Sequence, residues 1–153
     1  MKRIVIYIIT LGLLTLAPVK SADIGTLRPV EVVMVYRQED TVVLATDTAD
    51  AGQGIDALAA LENLKATTPG TIYLDTAEYL LLAEGAEDAA EQLKPVLKKS
   101  VRVCMADAAV DLKAAAKYLP VHGDLPRLKN WKTGIKLPHL RAAGNRLLLT
   151  GKS

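Results

Sequence analysis

Tyr79-Leu80-Leu81-Leu82 is an apolar run with no polar side, and Gly85 closes it. A strand sends alternate side chains to opposite faces, so a strand without a polar side must be covered twice. That requirement narrows the fold to a sheet with material packed on both faces. The neighbouring segments supply more strands. Val30 to Tyr36 is rich in β-branched residues, Gln38-Glu39-Asp40 is a polar turn, and Thr41 to Thr46 returns as the second arm of a hairpin. Asp47 to Gly54, rich in Asp, Ala and Gly, is expected to be a loop. Thr71 to Leu74 and Val101 to Ala106 are further strands, and Asp75-Thr76 starts a single turn.

Helices fall between them. The first runs from Ile55 to about Lys65, with Ile55, Leu58, Leu61 and Leu64 on one side, and Pro69-Gly70 stops it. The second starts at Ala86 and spaces Ala89, Ala90, Leu93, Val96 and Leu97 by three or four. Its acids Glu87 and Asp88 lie early and its lysines 94, 98 and 99 late, as the helix dipole favours. Pro95 predicts a kink or a break there. The third is capped by Asp111 and runs from Leu112 to Leu119, where Pro120 ends it. Its stripe is Leu112, Ala115, Ala116 and Leu119. Ile135-Lys136-Leu137 and Arg146 to Thr150 are short strand candidates. Alternating strands and helices predict an α/β fold, an α+β mixed sheet of about five strands flanked by about three helices, in a single domain.

The start of the chain has a different character. Lys2 and Arg3 precede an unbroken apolar run from Ile4 to Leu16, followed by Ala17-Pro18-Val19-Lys20-Ser21-Ala22. This is the pattern of an export signal. Residues 1–22 are therefore assigned to a signal peptide or membrane anchor, 23–121 to the α/β domain, and 122–153 to a basic C-terminal extension with short strands. The expected location is extracytoplasmic, secreted or anchored at the outer face of the cytoplasmic membrane. No cysteine follows the apolar run, so a bacterial lipoprotein acyl chain has no attachment point there.

Charge is unevenly distributed. Residues 122–153 hold seven Lys/Arg against one Asp, a net of +6, whereas residues 23–121 hold nine against sixteen acids, a net of −7. The two halves attract each other or are simply solvated, or the tail meets an anionic partner or a membrane surface. Trp131, set among Arg127, Lys129 and Lys132, is either a satellite packing residue or the anchor of a partner-binding patch made by these four.

Catalytic chemistry is sparse. Beyond the signal, Ser100 and Ser153 are the only serines, and neither lies in a Gly-x-Ser-x-Gly elbow. Cys104, the single cysteine, lies in an apolar strand, which predicts a buried, inert thiol, with an intermolecular bridge as the alternative. His122 with Asp124 is a partial metal pair without a zinc-type spacing. An enzyme would need those two beside a further acid. Gly52-Gln53-Gly54 precedes a helix but lacks a third glycine and has Asp47, Asp50 and Asp56 around it, which repel a phosphate. The aromatics lie mostly inside predicted elements, so nucleic acid is not an expected partner. No catalytic, cofactor or metal residue is assigned, and no enzymatic activity is expected. One alternative stays open: an extracytoplasmic small-ligand or cation-binding domain using the Gly52–Gly54 loop and its acids.

The order of segments carries a resemblance. Asp23-Ile24 leads through Val30-Glu31-Val32-Val33-Met34-Val35 and the hairpin to Gly52-Gln53-Gly54-Ile55-Asp56-Ala57-Leu58. Gly70-Thr71-Ile72-Tyr73-Leu74, then Tyr79 to Ala86, then the Ala-rich helix Asp111 to Leu119 follow. The tail adds Leu137-Pro138-His139-Leu140 and Arg146-Leu147-Leu148-Leu149-Thr150-Gly151. This resembles the N-terminal domain of the Ger(x)C family, the C-subunit lipoproteins of nutrient germinant receptors in spore-forming bacteria. The resemblance implies a non-enzymatic interaction domain without a cofactor. It implies integral-membrane germinant-receptor subunits as partners, a place at the outer face of the spore inner membrane, and a role in spore germination. The acylated cysteine and the later domains of that family have no counterpart here. A free-standing relative, an accessory subunit and a truncated product all fit that difference.

Overall fold

In the computed structural model, which describes residues 27–122 and 124–151, Tyr79–Leu82 is the central strand of a seven-stranded sheet, and all four of its residues are buried. The expected export segment, residues 1–22, lies outside the described residues. Among the described residues no helix is long and apolar enough to cross a membrane.

The elements in chain order are β1 (Leu27–Pro29), β2 (Val32–Gln38), β3 (Thr41–Thr46), β4 (Ala51–Gly54), α1 (Ala57–Thr67) and β5 (Thr71–Tyr73). They continue with β6 (Tyr79–Leu82), α2 (Glu87–Leu93), β7 (Arg102–Ala106), α3 (Leu112–His122), β8 (His139–Ala143) and β9 (Arg146–Thr150). Single 3-10 turns lie at Leu74–Thr76 and Leu128–Asn130. The sheet order is β4-β3-β2-β6-β7-β8-β9. β2, β6, β7 and β8 run parallel, while β3, β4 and β9 are antiparallel to their neighbours. β1 and β5 form a separate parallel pair.

Strand period two sorts the core into halves. Leu80 and Leu82 join Val33, Val35, Val103 and the inner sides of α1 and α2. Tyr79 and Leu81 join Met34, Cys104 and the Ala115–Leu119 side of α3. The result is a helix–sheet–helix sandwich, which is how an all-apolar strand becomes stable. Each fully buried leucine of β6 contributes roughly 2–3 kcal/mol of transfer free energy. The path from β7 to β8 uses both faces. α3 covers one, and the chain then rounds the sheet so that Leu128, Trp131 and Leu137 enter the opposite core.

The mixed α/β expectation holds, with nine strands and three α-helices among the described residues. Local expectations need four corrections. Residues 51–54 are a strand, not loop, because β3 offers an antiparallel partner. α1 starts at Ala57, and its buried side is Ala57, Ala60, Leu61 and Leu64. Ile55 precedes the helix and is 83% exposed, and Leu58 is 43% exposed. Asp56 sets that start, its Oδ1 accepting from Ala59 N at 2.8 Å. α3 runs on through Pro120 to His122, since a proline this near the end disturbs only the last turn. Ile135-Lys136-Leu137 is irregular, and the strand lies a little later, at His139–Ala143. The basic C-terminal stretch does supply short strands, but β8 and β9 complete the sheet rather than extending away from it.

Candidate functional site

The parallel strands begin side by side, and their first residues form a charged row. Glu78 N donates to Glu31 O at 2.9 Å and Arg102 N donates to Glu78 O at 2.8 Å, so Glu31, Glu78 and Arg102 sit on adjacent strand starts. Arg127 extends the row. The chain leaving α3 passes antiparallel to β7, with Val103 N donating to Pro126 O at 2.9 Å and Leu128 N to Val101 O at 2.6 Å. Arg102 and Arg127 are the bridged pair between those bonds. This is the non-hydrogen-bonded kind of antiparallel pair, in which side chains lie closest.

A cleft of about 590 Å³ opens along this row. Glu31, Asp75 and Glu78 lie toward β2 and β6, and Lys98, Arg102 and Arg127 toward β7. Tyr79 lies beneath Arg102, whose Nη1 donates to the Tyr79 hydroxyl at 3.4 Å and whose Cζ is 5.9 Å from the ring centroid. Burial raises the Tyr79 phenol above its usual range, with Arg102 opposing and Glu78 and Glu31 reinforcing. A smaller cleft of about 380 Å³ shares Arg102 and Arg127 and includes His122 and Asp124. The His122 ring stacks on Tyr118, centroids 4.3 Å apart. The structure thus places His122 and Asp124 beside two arginines and, among the described residues, not beside a further acid. Among the described residues no group of three His, Cys, Asp or Glu side chains is placed to hold a metal.

The four residues of the expected partner patch separate. Arg127 lines the cleft, Lys129 and Lys132 are exposed, and Trp131 is 2% exposed within the core. The packing alternative for Trp131 is the one realised, so its indole is not a surface anchor. Lys94 fastens it from outside: its Nζ lies 5.2 Å from the ring centroid and donates to Trp131 O at 2.9 Å and to Glu91 Oε1 at 2.7 Å. Among the described residues the buried Trp131 Nε1 has no hydrogen-bond partner.

Gly52 and Gly54 are packing residues. A Cβ on either would overlap the backbone of α1, and Gln53 N is already taken by Asn63 Oδ1 at 3.1 Å. The Gly52–Gly54 segment is therefore not an open anion or cation loop. Cys104 is fully buried, and burial pushes its thiol up to about 12, so it stays protonated.

Two features were not foreseen from sequence. His139 Nε2 and Asp107 Oδ1 are 2.8 Å apart and join the start of β8 to the residue after β7. β9 is a sheet edge on which Arg146, Leu148 and Thr150 face outward, Leu148 half exposed and cross-strand from Arg141. Leu147 and Leu149 on its other side pack toward α3. The opposite edge strand, β4, is covered by α1, whereas along β9 the Tyr118 hydroxyl accepts from Leu149 N at 3.3 Å.

No family model, curated protein or solved structure matches this chain.

Proposed function

We propose that this chain is a non-enzymatic interaction domain that docks to integral-membrane receptor subunits through the β9 edge, and that it contributes to spore germination from an extracytoplasmic position. The observation carrying the docking is β9 itself: an apolar edge strand whose outward face sets Leu148 between Arg141 and Arg146. Among the described residues no further strand pairs with the outer side of β9, where Tyr118 takes only the Leu149 amide, and such open edges are templates for strand addition. The flanking arginines suit a partner of negative potential. The resemblance to the Ger(x)C N-terminal domain supports the class of partner and the process.

Deleting the gene in a spore-forming host should slow nutrient germination and leave vegetative growth intact. Restoring the wild-type gene, but not Leu148→Lys, should reverse the defect. Normal germination of the deletion strain in every nutrient tested defeats the reading.

A second reading, a small-ligand domain, is favoured by the charged cleft at the strand starts rather than by the glycine segment.

A further inference from the structure

The pairing of Arg102 with Arg127 is costly by itself. Like charges directly opposite in an antiparallel pair destabilise it. Among the described residues neither arginine forms an ion pair, although Glu78 leaves the adjacent strand start. Lys98 and Ser100 open onto the same side, and Tyr79 holds one edge of the Arg102 guanidinium. Two forked donors that line one cleft and make no ion pair with a carboxylate among the described residues are arranged for an oxyanion.

The other wall carries the opposite sign. Glu31, Asp75 and Glu78 line the cleft without a basic partner among the described residues. A simple multivalent anion would meet repulsion there. A ligand with an oxyanion at one end and an ammonium at the other meets complementary charge at both. Adjacent strands are about 4.8 Å apart, and Glu78 and Arg102 start neighbouring strands, so one small ligand can reach both walls. The cleft volume, about 590 Å³, is in the range of small-molecule sites.

We propose that this cleft binds a small zwitterion, with its carboxylate or phosphate on Arg102 and Arg127 and its ammonium on Glu31 and Glu78. The proposal stands apart from docking at β9.

The test is a calorimetric titration of the full chain with 4-aminobutyrate, phosphoethanolamine, butyrate, butylamine and inorganic phosphate. At least one of the two zwitterions should bind roughly tenfold or more tightly than each singly charged compound and than phosphate. Which of them binds separates a carboxylate source from a phosphate source. Arg127→Gln, at an exposed position, should weaken that binding roughly tenfold or more. Glu78→Gln, also exposed, should erase the preference for the zwitterion over its monoanion. Unchanged melting temperatures show that both variants fold. Binding of phosphate as tight as that of the zwitterions, wild-type affinity in Arg127→Gln, or no binding by any probe overturns the proposal.

Discussion

Gly52 and Leu64 meet backbone to backbone: a Cβ added to Gly52 would lie 2.6 Å from the Leu64 Cβ. The contact lets edge strand β4 lie directly against α1 and brings Gln53 N to the Asn63 side chain. Gly52→Ala should therefore destabilise the fold by about 3 kcal/mol, because the obstacle is backbone and cannot rotate away. Urea denaturation checks it, the midpoint falling with little change in slope.

Ala49 carries a φ of 66° in the turn between β3 and β4. A side chain in that left-handed region costs about 1–2 kcal/mol, whereas glycine adopts it freely but loses more chain entropy. Ala49→Gly should be neutral or stabilising by up to about 1 kcal/mol. Thermal unfolding of the variant should show an equal or higher midpoint.

Cys104 should be unreactive toward a thiol reagent at pH 8 in the native protein and react fully in denaturant. Burial raises its folded pKa to about 12, against an ordinary value of 9.0. The unfolded state thus releases its proton first. The contribution of this thiol is intact below about pH 9 and is eroded as pH rises toward 12, by about 1.4 kcal/mol per pH unit. Fast labelling of native protein at pH 8 would contradict the buried assignment.

Trp131, the only tryptophan, reports on Lys94. Lys94→Met should shift its fluorescence to longer wavelength and lower stability by about 1 kcal/mol through the lost cation–ring contact and hydrogen bond. The Lys94 hydrogen bond is the main cause that holds the Glu91 carboxyl below its ordinary 4.5. That stabilisation is present above pH 4.5 and disappears as pH falls through the lower folded value. Wild-type protein should lose it in acid, whereas Lys94→Met should lack this component of the pH dependence.

The strands with strong period or strong apolar character were legible: Thr41–Thr46, Tyr79–Leu82 and the strand through Cys104 all form where their residues require. The α3 stripe and its Asp111 cap were legible for the same reason, Asp111 Oδ1 accepting from Lys113 N at 2.9 Å. β4 was hidden because Ala51-Gly52-Gln53-Gly54 has no strand propensity of its own. Its identity comes from β3 and from the close approach of α1. The first turn of α1 misled because Ile55 and Leu58 fit a helical stripe, yet Asp56 caps after Ile55 and Ala57 takes the inner position. The charged cleft was least legible. Glu31, Glu78, Arg102 and Arg127 are far apart in sequence, and the side-by-side start of parallel strands, with the antiparallel bridge from Arg127 to Arg102, brings them together. Trp131 lies among basic residues in sequence, but the path from α3 around the sheet turns it inward.

Docking through β9 can be read by backbone amide exchange of the full chain, alone and with purified membrane receptor subunits. Residues Arg146–Thr150 should exchange at least roughly tenfold more slowly in the complex, and Leu148→Lys should remove this protection while leaving the melting temperature unchanged. Failure of the subunits to bind, or a complex in which β9 exchanges as fast as in the free chain, would contradict it.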